Sequence, residues 1–132
     1  MKGYRADIEK ITEDNKTFRN VLYTGKHIQL VVMSLAPGEE IGFETHDEND
    51  QFLRFESGEG RVIIDDTEYS VGDGVAVVVP VGAKHNVINT SESAFLKLYT
   101  IYGPPHHKDG TMHMSKQDAQ ESDEEFDGVT SE

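Results

Sequence analysis

The sequence contains no cysteine, and this absence excludes several kinds of chemistry. Disulfide bonds, thiolate metal sites and cysteine nucleophiles all require a thiol. Long apolar runs are missing as well, and none approaches the length that would span a membrane. The segment from Met1 to Asp7 also lacks the apolar stretch of a signal peptide. We therefore expect a soluble cytoplasmic protein.

Basic side chains are scarce in this chain. Lysine and arginine number 12 against 25 aspartates and glutamates, which gives a formal net charge of −13. A protein with this charge repels phosphate backbones and anionic lipid surfaces, which argues against nucleic acid and membranes as partners. Solubility is the plain interpretation of the acidic surface, and adaptation to a salty cytoplasm is the alternative.

The distribution of short apolar segments divides the chain into three parts. Residues 18–103 contain many short β-branched segments separated by glycine turns, a pattern that predicts an antiparallel sandwich or small barrel. Residues 1–17 are polar and mixed, and we expect an edge strand or a loose arm there. Residues 104–132 form a polar loop and an acidic tail, in which Ser115 caps a short predicted helix unless the segment is disordered.

The stretch from Gly74 to Asn89 is the most informative part of the sequence. It contains five consecutive apolar residues, Val75 to Val79, and such a run predicts a strand buried on both faces. Pro80 ends the strand because it cannot donate to a ladder, and Gly82 permits a tight return. His85 then stands at the entrance of the next strand.

The spacing in this stretch resembles a motif of the cupin family. The motif reads Gly, five residues, Pro, one residue, Gly, two residues, His, three residues, Asn, and its positions here are Gly74, Pro80, Gly82, His85 and Asn89. An upstream cupin motif is matched in spacing by Gly38, His46 and Gly58. The chain departs from that motif at two positions, with Glu44 in place of its first histidine and Gln51 in place of its glutamate.

The resemblance implies a fold and an assembly. The chain looks like the small single-domain cupins, some of which are described as resembling mannose-6-phosphate isomerase. This resemblance implies an all-β jelly-roll β-barrel followed by a short C-terminal helical or disordered tail. Cupins often pair through their edge strands, so we also expect a homodimer.

Candidate metal ligands follow from the two motifs and from strand alternation. Glu44 and His46 are two residues apart and point to the same face of a strand. On the next predicted strand Gln51 shares the more apolar face with Leu53 and Phe55, and this face should line the barrel. The second motif adds His85. We therefore predict a divalent-metal site of Glu44, His46, Gln51 and His85, for which manganese, iron, zinc and nickel remain open. Asp50 is the alternative to Gln51 if a bulge shifts the register.

Three apolar residues that point into the predicted barrel, Leu53, Phe55 and Val87, are candidates for the wall of a substrate pocket. No inward arginine or lysine is evident, which argues against a phosphorylated substrate. A second group of histidines, His106, His107 and His113, is interpreted as a solvated polar loop, with a lid or an accessory metal site as the alternative.

Three functions remain open at this level. The first is a metal-binding enzyme that acts on a small polar molecule by sugar isomerisation. The second is a dioxygenase-like enzyme, because two histidines and one carboxylate form the ligand set of non-haem Fe(II) oxygenases. The third is a protein that binds a small ligand without turnover.

Overall fold

The computed structural model describes residues 1–132 and contains ten strands and two helices. The helices are α1 (Ile8–Asp14) and α2 (Lys116–Gln120). The strands are β1 (Arg19–Thr24), β2 (Gln29–Leu35), β3 (Glu44–Thr45), β4 (Asp50–Ser57), β5 (Glu59–Ile64), β6 (Thr67–Gly72), β7 (Ala76–Val79), β8 (Lys84–Asn89), β9 (Leu96–Gly103) and β10 (Met112–His113). Neither helix has the length and apolar character needed to cross a membrane.

The strands form two antiparallel sheets. The larger sheet has the order β10-β1-β2-β9-β4-β7, and the smaller has the order β3-β8-β5-β6. Side chains from the inner faces of both sheets form one apolar core of 16 buried residues, to which Phe55 and Leu98 contribute from the larger sheet and Val62 from the smaller. This arrangement confirms the predicted all-β jelly-roll barrel with a short C-terminal helix.

Strand β7 differs from the prediction for the valine run. It pairs only with β4 and forms an edge of the larger sheet. Val77 and Val79 are buried, whereas Val78 is 63% exposed, so the prediction of a strand buried on both faces is wrong. Valine fits any pleated and half-buried surface, and an unbroken run of it does not distinguish a central strand from an edge strand. The strand ends before Pro80, as predicted.

The N-terminal segment contains a helix where an edge strand or loose arm was expected. The Asp7 carboxylate caps α1 by accepting a hydrogen bond from the backbone N–H of Lys10 at 3.3 Å. The helix packs against β2, β4 and β9, with Thr12 buried and Ile8 and Ile11 half-buried. These three residues occur at helical spacing, but the helix has only seven residues. So short a pattern, surrounded by polar residues, does not stand out in the sequence.

The chain after β9 wraps around the barrel. Strand β10 pairs with β1, and Ser115 caps α2 in a capping box with Asp118, which confirms the predicted cap. The last residues then return to the N-terminal side of the molecule. The backbone N–H of Ser131 donates to the Thr24 carbonyl at 2.9 Å, and the Glu132 carboxylate accepts from the backbone N–H of Lys2 at 2.8 Å.

Candidate metal centre

The fold brings Glu44, His46 and His85 together inside the barrel. Glu44 and His85 lie directly opposite each other in the ladder between β3 and β8, and His46 follows Glu44 on the same face. Glu44 Oε1 lies 3.3 Å from His46 Nε2 and 3.7 Å from His85 Nε2. The three ligand atoms lie within 4.8 Å of one another. Strand alternation and one cross-strand pair therefore bring together three of the four predicted ligands.

Both imidazoles present an unpartnered nitrogen to this group. His85 Nδ1 donates to the Ala83 carbonyl at 3.0 Å, so its Nε2 carries the free lone pair. His46 and His85 are 6% and 2% exposed, and the Nε2 atoms of both are buried without a hydrogen-bond partner. Buried polar atoms in folded proteins are almost always satisfied. Two orphaned nitrogens beside one carboxylate oxygen fit a bound divalent cation, because a metal ion accepts the lone pairs that no protein donor meets.

Glu44 is the charged member of the group. Burial raises the pKa of its carboxyl, but the imidazole of His46, and then that of His85, outweighs this effect and leaves the pKa below its ordinary value. Glu44 is therefore ionised at neutral pH, as a metal ligand must be. Its side chain is 35% exposed, which leaves the carboxylate reachable from outside the barrel.

Gln51 points into the barrel, as predicted from strand alternation. It is 3% exposed, and its Nε2 donates to Thr100 Oγ1 at 3.0 Å. Its Oε1 is buried without a partner, so the atom that could act as a ligand is free. Ligation by Gln51 stays a prediction.

Asp50, the alternative ligand, is exposed and has another role. Its Oδ1 accepts a hydrogen bond from the backbone N–H of Val81 at 2.8 Å and so holds the turn that follows β7. It lies outside the group of Glu44, His46 and His85.

The three candidate pocket residues are part of the apolar core. Leu53 and Phe55 are fully buried and Val87 is 1% exposed, and all three pack within the core cluster. None of them lines the cavity next to His46.

A polar cavity of about 390 Å³ opens beside His46. We call it the mouth cavity. Its wall consists of Thr45, His46, Asp47, Glu48, Asn49, Pro105, His106, Glu125 and Phe126. Three of these residues carry carboxylates and none is a lysine or an arginine, so the mouth cavity disfavours anions.

The second group of histidines is built into the structure, and the interpretation as a solvated loop is wrong. His107 and His113 are 5% and 7% exposed. The His106 ring lies 4.3 Å from that of His46 between centroids, and burial lowers the pKa of His106 to about 4, with the nearby His107 and His46 adding to the effect. The three histidines do not converge on a metal site of their own, since the one such group in the structure is Glu44, His46 and His85.

Two residues near the site were missed in the sequence. The ring of Tyr102 lies 5.6 Å from that of His46, and burial raises the pKa of its hydroxyl far above the ordinary value. Arg19 is 8% exposed and shares the inward face of β1 with Val21. The expectation of no inward basic residue is therefore wrong. The alternation of Arg19 with Val21 is the sequence signal for it, because two residues that are two apart on a strand share a face.

Comparison with known proteins identifies the relatives of this chain. Residues 31–102 match the family model described as "Cupin domain". The chain is 48% identical over 124 residues to the uncharacterized protein YrkC of Bacillus subtilis, covering 89% of this chain and 66% of YrkC. It is 39% identical over 116 residues to the uncharacterized protein L612 of Acanthamoeba polyphaga mimivirus, covering 86% of this chain and 72% of L612.

A solved structure, that of BH2720 from Bacillus halodurans, is similar along almost the whole chain. It superposes with a TM-score of 0.89 at 41% identity, covering 92% of this chain and 96% of BH2720. The chain spans only about two thirds of the length of YrkC, so the activity of the whole relative does not transfer directly.

Proposed function

This chain belongs to the cupin family, and from that premise we propose that it binds a divalent metal and a small polar molecule at Glu44, His46 and His85. One observation supports the proposal above all others. Two buried imidazole nitrogens without partners converge on a single carboxylate oxygen, at 3.3 and 3.7 Å. Gln51 is the proposed fourth ligand, or else a hydrogen-bond partner for a ligand molecule at the metal.

The donor set narrows the choice of metal. Imidazole suits iron, zinc and nickel, and a carboxylate extends the range to manganese. Two histidines with one carboxylate are typical of non-haem iron sites, and such an ion supplies open coordination positions for a substrate and for oxygen. We therefore propose iron(II) or manganese(II) as the resident metal and oxidation of a small polar substrate as the reaction.

Sugar isomerisation, the other chemistry expected from the sequence, is less well supported. It needs a base near the metal to move a proton, and Glu44 is already one of the three proposed ligands. The next candidate is His106 at the mouth cavity, but with a pKa of about 4 it is a weak base at neutral pH. The hydroxyl of Tyr102 stays protonated at neutral pH, because burial raises its pKa.

Elemental analysis of untagged protein tests the metal site. We expect about one iron or manganese per chain in the wild type, and loss of that metal in His46→Ala, His85→Ala and Glu44→Gln. The matched control is Asp47→Asn, which removes an exposed carboxylate next to the site and should retain the metal. Unchanged metal content in the two histidine variants would contradict the proposal.

Oxygen uptake with a panel of small organic substrates tests the chemistry. Uptake that depends on added iron(II) would support oxidation, whereas ketose–aldose exchange in deuterated water would support isomerisation instead. Ligand-induced melting shifts without turnover would point to a binding protein. We further propose a homodimer on the strength of the family, and light scattering coupled to size-exclusion chromatography tests it.

A further inference from the structure

Arg19 is a buried cation that forms no ion pair. Its side chain projects inward from β1, and the residue is 8% exposed. Its Nε is buried without a hydrogen-bond partner, and its Nη1 approaches only His113 Nδ1, at 3.4 Å. None of the six close contacts between basic and acidic side chains in the structure includes Arg19. Glu44 and Glu124 lie near enough for the charge of Arg19 to act on them, but neither forms an ion pair with its guanidinium. Because buried charges in proteins are normally paired, this guanidinium can accept a further anionic partner.

The surroundings hold the guanidinium in place without neutralising it. Its central carbon lies 5.3 Å from the centroid of the Phe18 ring, an arrangement that favours a cation. Burial lowers the pKa of His113, and the charge of Arg19 lowers it further, so this imidazole is neutral and accepts from Nη1. The edge that carries Nε is thus the unsatisfied side of the group.

A second cavity, of about 160 Å³, lies against Arg19 and the candidate metal centre. We call it the arginine cavity. Its wall consists of Phe18, Arg19, Ile41, Glu44, Lys116, Ala119 and Gln120. Lys116 is half-buried and forms no ion pair. Two cations, Arg19 and Lys116, therefore face a single carboxylate, that of Glu44, in the wall of this cavity. Glu44 belongs both to this wall and to the candidate metal centre, so the two sites adjoin.

We propose that the arginine cavity binds the carboxylate of a small organic acid, with Arg19 as its main receptor and Lys116 as a second cation. The rest of the acid would then extend towards the candidate metal centre, so the proposal names the substrate class for the function proposed above and rests on it. The acidic mouth cavity on the His46 side contains no lysine or arginine, which leaves the arginine cavity as the better place for an anionic group.

The charge and the size of the site favour a carboxylate over a phosphate. The Nε edge of a guanidinium presents two parallel N–H donors, which match two oxygens of either anion. A carboxylate, however, brings one negative charge rather than about two next to the Glu44 carboxylate in the same wall. The cavity volume lies below the roughly 300 Å³ at which pockets for drug-sized ligands begin, so it accepts a small group rather than a sugar phosphate.

Calorimetric titration tests the proposal, with pyruvate and glycolate as carboxylate probes and with methyl pyruvate and inorganic phosphate as comparison probes. The titrations use metal-free protein and Mn(II)-loaded protein. We expect both carboxylates to bind, methyl pyruvate to bind at least tenfold more weakly, and phosphate to bind more weakly than either carboxylate. Equal affinity for pyruvate and its methyl ester would overturn the proposal, and so would a preference for phosphate.

Variants locate the receptor. Arg19→Gln should weaken pyruvate binding at least tenfold, and Arg19→Lys should restore part of it because it keeps the charge and loses the parallel donors. Lys116→Gln changes a half-exposed position that tolerates substitution, and it should weaken pyruvate binding severalfold. It replaces the Arg19 variants as the test if those variants do not fold. Arg61→Gln removes an exposed arginine that pairs with Glu68 on the smaller sheet, and it should bind like the wild type.

The metal content of the same variants separates this proposal from the previous one. If Arg19→Gln loses metal but binds pyruvate normally, Arg19 acts only on the charge of Glu44 and the anion site is disproved. If His46→Ala and His85→Ala retain the metal while metal-free wild type still binds pyruvate through Arg19, the anion site is supported and the proposed metal centre is disproved.

Discussion

His107 Nδ1 lies 2.7 Å from Glu124 Oε1, seventeen residues further along the chain. On the other side of the same ring, Nε2 lies 3.3 Å from the hydroxyl of Tyr102, so the imidazole joins the acidic tail to the barrel. The second Glu124 oxygen accepts from the backbone N–H of Lys108 at 2.8 Å. The acidic C-terminal segment, for which composition leaves disorder open, is therefore held by hydrogen bonds beside the candidate metal centre.

We predict that this contact makes the protein sensitive to acid. Burial raises the pKa of Glu124, but the hydrogen bonds from His107 and Lys108 outweigh this effect and bring the pKa to about 2. Burial lowers the pKa of His107 in spite of the opposing hydrogen bond from Glu124. Both groups bind fewer protons in the folded protein than in the unfolded chain, so acidification favours unfolding. Stability should begin to fall near pH 6.5 through His107 and continue below about pH 4.5 through Glu124.

Glu124→Gln tests this prediction by thermal melting between pH 3 and pH 8. At neutral pH the variant should lose about 1.5 to 3 kcal/mol, the usual contribution of a hydrogen bond to a charged group. Below pH 4.5 its melting temperature should change less with pH than that of the wild type. Glu92→Gln, at an exposed position, is the control and should follow the wild-type curve. Parallel curves for Glu124→Gln and the wild type would contradict the assignment.

Asn89, the last position of the second cupin motif, is a structural clamp. Its Nδ2 lies 3.1, 3.0 and 2.9 Å from the carbonyl oxygens of Leu35, Ala36 and Ala94, and its Oδ1 accepts from the backbone N–H of Ser91 at 2.9 Å. We predict that Asn89→Asp destabilises the fold by about 3 kcal/mol or more, because it places a carboxylate oxygen against three carbonyls. The free energy of unfolding in urea measures the effect.

The control for Asn89→Asp is the same substitution at Asn20. Asn20 lies on β1, is half-buried, and forms no hydrogen bond through its side chain. Its free energy of unfolding should change by less than about 1 kcal/mol. Similar losses at the two positions would mean that the added charge, rather than the clamp, is responsible.

Gly60 is required by close packing between strands of the smaller sheet. A Cβ atom there would overlap the carbonyl oxygen of Ile88 and lie 2.8 Å from Leu96 Cδ2. We predict that Gly60→Ala destabilises the protein by about 3 kcal/mol, because the backbone of β8 cannot move without breaking its ladder. Gly72→Ala is the matched control, since the nearest atom to its Cβ would be 3.4 Å away. Equal urea midpoints for the two variants would exclude this explanation.

The sequence predicted the parts of the site that depend on local rules. Glu44 and His46 share a face because strands alternate, and the motif spacing placed His85 on a neighbouring strand. The alternation of Arg19 with Val21 indicates an inward side chain, but nothing in that strand shows that the C-terminal segment closes a cavity over it. That closure depends on β10 and α2, two short elements whose stability comes from tertiary contacts rather than from their own sequence.

Metal binding should stabilise the folded protein and should depend on Glu44, His46 and His85. A ligand at a hundred times its dissociation constant adds about 2.7 kcal/mol, which for a chain of this size raises the melting temperature by roughly 10 °C. We therefore predict such a rise when Mn(II) is added to metal-free wild type, and its reversal by EDTA. The Mn(II)-dependent rise should disappear in His85→Ala and in Glu44→Gln, which keeps the shape of the side chain and removes its charge. Asp47→Asn should show the full rise, because Asp47 lies outside the ligand group. If His85→Ala melts at a temperature that still rises with Mn(II), the cation binds elsewhere on this acidic protein, and the orphaned imidazole nitrogens need another explanation.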